Sequence, residues 1–82
     1  MRVLPLHKRL VRYLSKHDLQ EVFVKQMDLF EGNSFHPSLH IEVLEPRHLC
    51  IYSFRVTKQY RAIFIYVGKQ QIEIIDINNH YK

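Results

Sequence analysis

The first third of the chain predicts two helices from the spacing of its apolar residues. Over residues 5–16, Leu6, Leu10 and Leu14 recur at intervals of four, and Pro5 suits the first turn of a helix. This spacing gives the helix one apolar stripe and leaves a polar face on its other side. The polar face carries the basic residues Lys8, Arg9, Arg12 and Lys16.

A second helix is predicted to begin after Asp18, a residue type that caps helices, with Glu21 three residues later as its capping-box partner. Gly32 and Asn33 end this helix. Because only a residue or two around His17 separates the two helices, we expect an antiparallel helical hairpin. Its buried face is predicted to contain Leu19, Val22, Phe23, Met27 and Phe30.

After Gly32 the apolar period changes from about four to two, which is the period of a β-strand. The predicted strands cover residues 39–44, 49–56, 60–67 and 70–77. Turns are predicted at residues 57–59 and, as a two-residue hairpin, at residues 68–69. The sequence therefore predicts an α+β fold, a single domain of residues 1–82. Its amino-terminal helical hairpin packs on one face of a twisted, mainly antiparallel four-stranded sheet.

The predicted strand register brings two arginines together. If residues 57–59 form the turn, Arg55 lies opposite Arg61, and directly opposed like charges destabilise a strand pair unless an anion lies between them. Phosphate suits this position because a planar guanidinium binds two oxygens and stays ionised. The same counting across residues 68–69 places Arg61 opposite Asp76, so an ion pair is the alternative role for that arginine.

Alternation along the strands also assigns residues to the two faces of the sheet. The layer beneath the helices is predicted to contain Tyr52, Phe54, Val56, Ala62 and Phe64. The arginine face is predicted to contain Ile51, Ile63, Ile65 and Ile74 as well. We therefore expect this face to be a cleft with apolar walls or a surface covered by a partner.

Composition narrows the class of protein. Of the 82 residues, 46% are apolar, 24% are charged and only two are glycine, which is typical of one small compact domain rather than a disordered chain. No apolar run approaches the roughly 20 residues of a membrane span, and residues 1–5 lack a signal-peptide pattern. We therefore expect a soluble cytoplasmic protein. Its single cysteine, Cys50, cannot form an internal disulfide and is expected to be a small core residue.

Charged residues are segregated along the chain. Residues 1–17 carry +5, residues 18–45 carry −5 and residues 46–82 carry +4, which gives the net charge of +4. If the two basic segments converge in the fold, they form a positive field for phosphate, as in nucleic-acid-binding proteins. The alternative is a solvated basic surface that has no specific partner.

The chain ends with His80, Tyr81 and Lys82, directly after the last predicted strand. An imidazole transfers protons near neutral pH, and a phenol stacks on a base or hydrogen-bonds to phosphate. Beside an arginine pair, these groups therefore suit phosphodiester chemistry. A frayed terminus is the alternative interpretation.

The remaining histidines do not predict a metal site. His36, His40, His48 and Cys50 match no standard zinc spacing, and Pro37 disfavours a helix that would present His36 and His40 together. We therefore expect no metal, with the histidines at the surface or in contact with RNA.

Five segments, taken together, resemble the RelE/ParE superfamily of toxins from bacterial toxin–antitoxin modules. They are HPSLHIEVL at residues 36–44, YSFRV at 52–56, YRAIF at 60–64, IDI at 75–77 and HY at 80–81. The resemblance covers nearly the whole chain. It implies a RelE-like fold and the activity of the RelE and YoeB branches, which cleave messenger RNA on the 70S ribosome without metal or cofactor and are silenced by an antitoxin.

The resemblance implies roles for particular residues of this chain. Arg61 matches the arginine that binds and polarises the scissile phosphate, and Arg55 matches a neighbouring basic position. His80 and Tyr81 match the terminal pair of the YoeB-like branch, in which the histidine is the general acid for the departing 5′ oxygen. Attack of a 2′ oxygen on the adjacent phosphate would give a 2′,3′-cyclic phosphate.

The general base implied by the resemblance is Glu42, found by counting back from Ser53 without gaps, although Glu45 is close enough in sequence to be confused with it. Further phosphate contacts are expected from basic residues elsewhere in the chain, namely Arg47, Lys58, Lys8 and Arg12. A solvated helix face is the alternative for the last two.

The chain departs from the family pattern in two places. The family usually opens with a short strand, but only residues 1–4 precede Pro5 here, so we expect that strand to be clipped or absent and its neighbour to be open to pairing. The catalytic lysines of the RelE pattern are also not evident, because Glu45, Arg47 and His48 stand in their place.

Three functions therefore remain open at this point. The first is a ribosome-dependent endoribonuclease toxin, the second a non-catalytic ParE-like inhibitor of DNA gyrase, and the third a degenerate interaction module. The expected partners are a cognate antitoxin protein and mRNA on the ribosome, without a membrane. The chain would act as a homodimer or within a toxin–antitoxin hetero-oligomer.

Overall fold

The structure is a computed structural model and describes residues 1–79. These residues form two helices and one five-stranded sheet. The helices are α1 (Lys8–Lys16) and α2 (Gln20–Gly32), and the strands are β1 (Arg2–Val3), β2 (Glu42–Val43), β3 (Tyr52–Arg55), β4 (Tyr60–Tyr66) and β5 (Gln71–Asn79). The predicted α+β class and its two helices are confirmed. Within the described residues, no helix is long and apolar enough to cross a membrane.

The sheet is mixed and has the strand order β1-β5-β4-β3-β2. β1 runs parallel to β5, and the other neighbouring strands are antiparallel. The prediction of four strands is therefore wrong, because a strand does form before Pro5. The Arg2 N–H donates to the Gln70 carbonyl at 2.8 Å, and the Leu4 N–H donates to the Ile72 carbonyl at 2.9 Å. A strand of two residues is too short to show alternation in the sequence.

Both helices begin later than predicted. α1 starts at Lys8 rather than at residue 5, and α2 starts at Gln20, with Leu19 in the cap position and no side-chain cap. Asp18 instead adopts a left-handed φ of 56°, and its N–H donates to the Ser15 carbonyl at 3.2 Å. Asp18 therefore belongs to the end of α1, and the predicted capping box is wrong.

The helices pack on one face of the sheet through a cluster of phenylalanines. Phe30 of α2 lies against Phe54 of β3 and Phe64 of β4, with ring centroids 5.7 and 5.4 Å away. Phe23 of α2 lies 6.3 Å from Phe54. Burying each ring contributes about 1.5–3 kcal/mol to folding. The layer predicted beneath the helices is confirmed by the near-complete burial of Phe54, Val56, Ala62 and Phe64, while Tyr52 is partly buried.

The connection between β4 and β5 is one residue longer than predicted. Tyr66 lies opposite Ile72, which leaves a three-residue loop at 68–70, and Gly68 takes a left-handed φ of 82° within it. The extra loop residue shifts the pairing of β5 with β4 by one position. The first residues of β5 therefore lie on the sheet face opposite to the one predicted. Ile74 therefore lies opposite Phe64 in the core, and its predicted position on the arginine face is wrong.

A β-bulge at Ile75 then shifts β5 by a second position. Beyond it, Ile63 lies opposite Asp76, and Arg61 lies opposite Asn78. After two single-residue shifts, the β5 residues beyond the bulge lie on the faces that the sequence predicted. Each of them, however, lies opposite a β4 residue two positions away from its predicted partner. The prediction that Asp76 lies opposite Arg61 is therefore wrong.

Tight turns replace the ends of two predicted strands. Pro37–Leu39 and Arg47–Leu49 are single 3₁₀ turns, and His40 and Cys50, which follow them, take left-handed φ angles of 44° and 55°. Only Glu42–Val43 remains of the predicted strand at 39–44. Cys50 is exposed at the end of its turn, so the expectation of a core cysteine is wrong.

Candidate functional site

Two arginines lie side by side on the sheet face that points away from the helices. Arg55 of β3 and Arg61 of β4 are Cα partners, as the predicted register requires. Their neighbours Phe54 and Ala62 are fully buried against the helices, so alternation places both arginine side chains on the opposite face. Thr57 fixes the turn between the strands, because its hydroxyl accepts hydrogen bonds from the Gln59 and Tyr60 N–H groups, both at 3.1 Å.

The guanidinium of Arg61 is held by β3 and by the segment before β2. Its Nε donates to the Ser53 hydroxyl at 2.9 Å, and one Nη donates to the His40 carbonyl and, at 3.4 Å, to the Ser53 carbonyl. Arg61 is only 6% exposed. A buried cation is tolerated when such hydrogen bonds replace water, and these bonds fix its orientation. The sequence analysis missed the supporting role of Ser53, because no pattern marks a serine inside an apolar strand.

Arg55 is more accessible than Arg61, and its backbone is fixed from the helix side. It is partly buried, and its carbonyl accepts a hydrogen bond from the Gln26 side chain of α2 at 2.8 Å. The same amide nitrogen donates to the Ser38 carbonyl at 3.4 Å. Gln26 therefore joins α2 to the end of β3 and to the turn before β2, and the sequence analysis missed it.

Replacing Gln26 by leucine is expected to lower the free energy of unfolding by about 1–3 kcal/mol, because two carbonyls lose their amide donor. Urea unfolding followed by circular dichroism measures the change. Gln20→Leu, at the exposed start of the same helix, is the matched control and is expected to change stability by less than about 0.5 kcal/mol. A Gln26→Leu protein as stable as the wild type would contradict this role.

Glu42 of β2 lies opposite a residue that hydrogen-bonds to Arg61. It is the Cα partner of Ser53, whose hydroxyl accepts the hydrogen bond from Arg61 Nε. Residues directly opposite each other in an antiparallel pair project on the same face, so Glu42 shares the arginine face. Glu42 is exposed.

Glu45, the alternative base, lies outside the strands. It is exposed and forms an ion pair with Arg47, with 3.6 Å between the carboxylate oxygen and Nε. Arg47, predicted to bind phosphate, is therefore already paired with a carboxylate at the surface. This arrangement favours Glu42 over Glu45 as the carboxylate beside Arg61.

The other predicted phosphate contacts divide between two surfaces. Lys58 is exposed in the turn that joins the two arginine strands, three residues from Arg55 and three from Arg61. Lys8 and Arg12 are exposed on α1, on the helical layer. The structure thus places Lys58 in the turn between the two arginine strands and the α1 residues on the helical layer.

The predicted acid and its neighbour, His80 and Tyr81, lie outside the described residues. β5 extends to Asn79, three residues beyond Asp76, and Asn79 is the Cα partner of Tyr60. The last described residue, Asn79, therefore belongs to the strand pair next to the one that contains Arg61.

An aromatic group missed by the sequence analysis lies next to this end of the sheet. Tyr13 and His17 of the hairpin and Tyr60 of β4 have ring centroids 4.3 to 6.2 Å apart, and the Tyr60 hydroxyl lies 3.3 Å from His17 Nδ1. Burial, then Tyr60 and Asp76, raise the pKa of Tyr13 above its ordinary value. The Tyr13–His17 spacing of four was visible in the sequence, but the approach of Tyr60 depends on the fold.

Two clefts among residues 1–79 do not include the arginine pair in their lining. Their volumes are about 460 and 410 Å³, and one lies between the segment after α2 and the end of β4, the other between the two helices and β1. Among residues 1–79, no three His, Cys, Asp or Glu side chains are grouped closely enough to hold a metal ion.

Comparison of this sequence with those of known proteins identifies a distant relative. No protein-family model matches the chain. An uncharacterized protein from Haemophilus influenzae is 34% identical in an alignment 70 positions long, which covers 78% of this chain and 63% of that protein. The chain therefore matches less than two thirds of the relative's length.

Structural comparison identifies the fold. The chain is similar to a YoeB/ParE toxin from Agrobacterium tumefaciens, with a TM-score of 0.69 over 99% of this chain and 100% of the toxin. The two sequences are 16% identical, so the likeness concerns the fold. The expected resemblance to the RelE/ParE superfamily is confirmed at that level.

Proposed function

We propose that this chain, which has the fold of the YoeB/ParE toxins, is the toxin of a toxin–antitoxin module and cleaves translated mRNA on the ribosome. The fold supports the general class. The observation that carries the catalytic proposal is the Arg55–Arg61 pair on the sheet face that points away from the helices, with Glu42 opposite Ser53, whose hydroxyl accepts the hydrogen bond from Arg61 Nε. Two cations beside a carboxylate are suited to an RNA phosphodiester and its 2′-hydroxyl.

In this proposal the phosphate lies against Arg55 and Arg61. Glu42 removes the proton from the 2′-hydroxyl, and the 2′ oxygen attacks the phosphorus in line with the departing 5′ oxygen. The guanidinium groups balance the additional negative charge that develops on the phosphate oxygens. His80 donates a proton to the 5′ oxygen, and Tyr81 contacts the adjacent nucleotide. The products are a 2′,3′-cyclic phosphate and a 5′-hydroxyl, and the reaction needs no metal or cofactor.

Basic residues around the site would bind the surrounding RNA. Lys58 extends the arginine surface, and Lys8, Arg12 and Arg47 would contact ribosomal or messenger RNA phosphates. A cognate antitoxin would silence the toxin in the cytoplasm by covering these charges. The assembled form would be a homodimer or a toxin–antitoxin hetero-oligomer.

A second candidate is supported by the burial of Arg61. Its hydrogen bonds to Ser53 and His40 also suit an arginine that only stabilises the sheet. In that case the same fold would serve a non-catalytic, ParE-like inhibitor of DNA gyrase, or an interaction module. The exposed basic surface would then bind a protein partner.

Primer extension on translated messages after brief induction separates these functions. Cuts at fixed positions within codons, absent when translation is blocked, are expected for the nuclease. An Arg55→Ala, Glu42→Gln double variant is the matched control and is expected to leave the messages intact. Intact messages together with DNA-damage signalling in the wild type would reject the nuclease and support gyrase inhibition.

A further inference from the structure

The carboxylate of Asp76 is held against α1. Arg9 Nη1 lies 3.5 Å from Asp76 Oδ1, and the Asn78 side-chain amide donates to Asp76 Oδ2 at 3.3 Å. Arg9 also donates through its other Nη to the Ile75 carbonyl. The raised pKa of Tyr13, one helical turn after Arg9, has burial as its main cause and then Tyr60 and Asp76, in keeping with a carboxylate near α1.

Asp76 is also a diagonal neighbour of Arg61. Arg61 lies opposite Asn78, and Asp76 lies opposite Ile63, two residues further along β4 on the same face of the sheet. Diagonal neighbours in an antiparallel sheet are about 7–8 Å apart, which is within the reach of long side chains. A carboxylate released from α1 would therefore lie close enough to weaken the binding of a phosphate at the arginine pair.

Arg9 acts at the position where the strand register changes. Ile75 is the extra residue of the bulge and has no Cα partner in β4. By donating to the Ile75 carbonyl, Arg9 contacts the bulge, which is one of the two register shifts that together place Asn78 rather than Asp76 opposite Arg61. One side chain thus contacts both the bulge and the displaced carboxylate.

We propose that Arg9 is a positioning residue for the phosphate-binding surface, because it holds Asp76 toward α1 and away from the Arg55–Arg61 pair. This inference rests on the proposed function to the extent that the arginine pair binds an RNA backbone. It assigns to Arg9 an effect through Asp76 rather than a contact with RNA. Removing Asp76 should therefore compensate for the loss of Arg9.

A double-mutant cycle tests this effect. The probe is a short fluorescent 2′-O-methyl oligoribonucleotide, which cannot be cleaved, and its Kd is measured by anisotropy at low salt. Arg9→Ala is expected to weaken binding about twofold to fivefold, the range for an exposed ion pair. Adding Asp76→Asn is expected to restore the wild-type Kd. Unfolding curves of each variant confirm that the proteins are folded at the assay temperature.

A charge-matched variant distinguishes a local effect from net charge. Glu73, the other acidic residue of β5, lies 2.7 Å from His7 and further along the strand from Arg61. Arg9→Ala with Glu73→Gln has the same net charge as Arg9→Ala with Asp76→Asn, but we expect it to remain weak. Equal rescue by both would overturn the inference, as would no rescue by Asp76→Asn.

The same assay separates this inference from the proposed function. Arg61→Gln and Arg55→Ala should weaken binding more than Arg9→Ala does. If they do and Arg9→Ala binds like the wild type, only the role of Arg9 is rejected. If neither arginine variant weakens binding, the phosphate site itself is wrong, and the role of Arg9 is rejected with it.

Discussion

Replacing Arg61 by glutamine is expected to reduce mRNA cleavage by about 100-fold to 1,000-fold, the usual effect of losing one group that stabilises transition-state charge. A glutamine amide can still donate to the Ser53 hydroxyl or the His40 carbonyl, as Arg61 does. It cannot supply the positive charge. Cleavage of a reporter message in a purified translation system measures the loss.

Stability measurements on the same position separate catalysis from folding. Arg61→Ala removes the hydrogen bonds as well as the charge, so it should be less stable than Arg61→Gln, by about 1–3 kcal/mol. Both variants should lack cleavage activity. An Arg61→Gln protein that cleaves at the wild-type rate would mean that this arginine only supports the sheet.

Replacing Glu42 by glutamine is expected to lower the cleavage rate by about 100-fold to 10,000-fold, because an amide cannot accept the proton of the 2′-hydroxyl. Glu42 is exposed, so little change in stability should accompany the loss. Single-turnover cleavage on stalled ribosomes measures the rate of the chemical step apart from binding.

Glu45→Gln is the matched control for this variant. Its carboxylate is exposed and pairs with Arg47 outside the strands, so its loss should change the rate by no more than about threefold. The opposite result, with Glu45→Gln inactive and Glu42→Gln active, would assign the base to Glu45. Full activity in both variants would remove carboxylate base catalysis from the mechanism.

The opposition of Arg55 and Arg61 could be predicted because short-range chemistry fixes the turn between their strands. Thr57 hydrogen-bonds to two backbone N–H groups within the turn, so counting outward from it gives the observed register. The alternation of apolar residues in β3 and β4 then determines which face packs on the helices. These features depend on residues close in sequence.

The register of β5 depends on contacts distant in sequence. Ile75 bulges where Arg9, 66 residues earlier, donates to its carbonyl, and no local pattern marks that position. The strand at Arg2–Val3 likewise exists only through its hydrogen bonds to β5. The supports from Ser53 and Gln26 were missed for the same reason, since a buried polar residue is recognised only when its partner is in place.

The central claim is that an RNA backbone lies across the open face of the sheet, with a phosphate between Arg55 and Arg61. A crystal structure of the chain with a short 2′-O-methyl oligoribonucleotide tests it directly. We expect one phosphate within about 3 Å of both guanidinium groups and the adjoining ribose 2′ oxygen facing Glu42. RNA bound instead along α1, with no phosphate at the arginine pair, would contradict the claim.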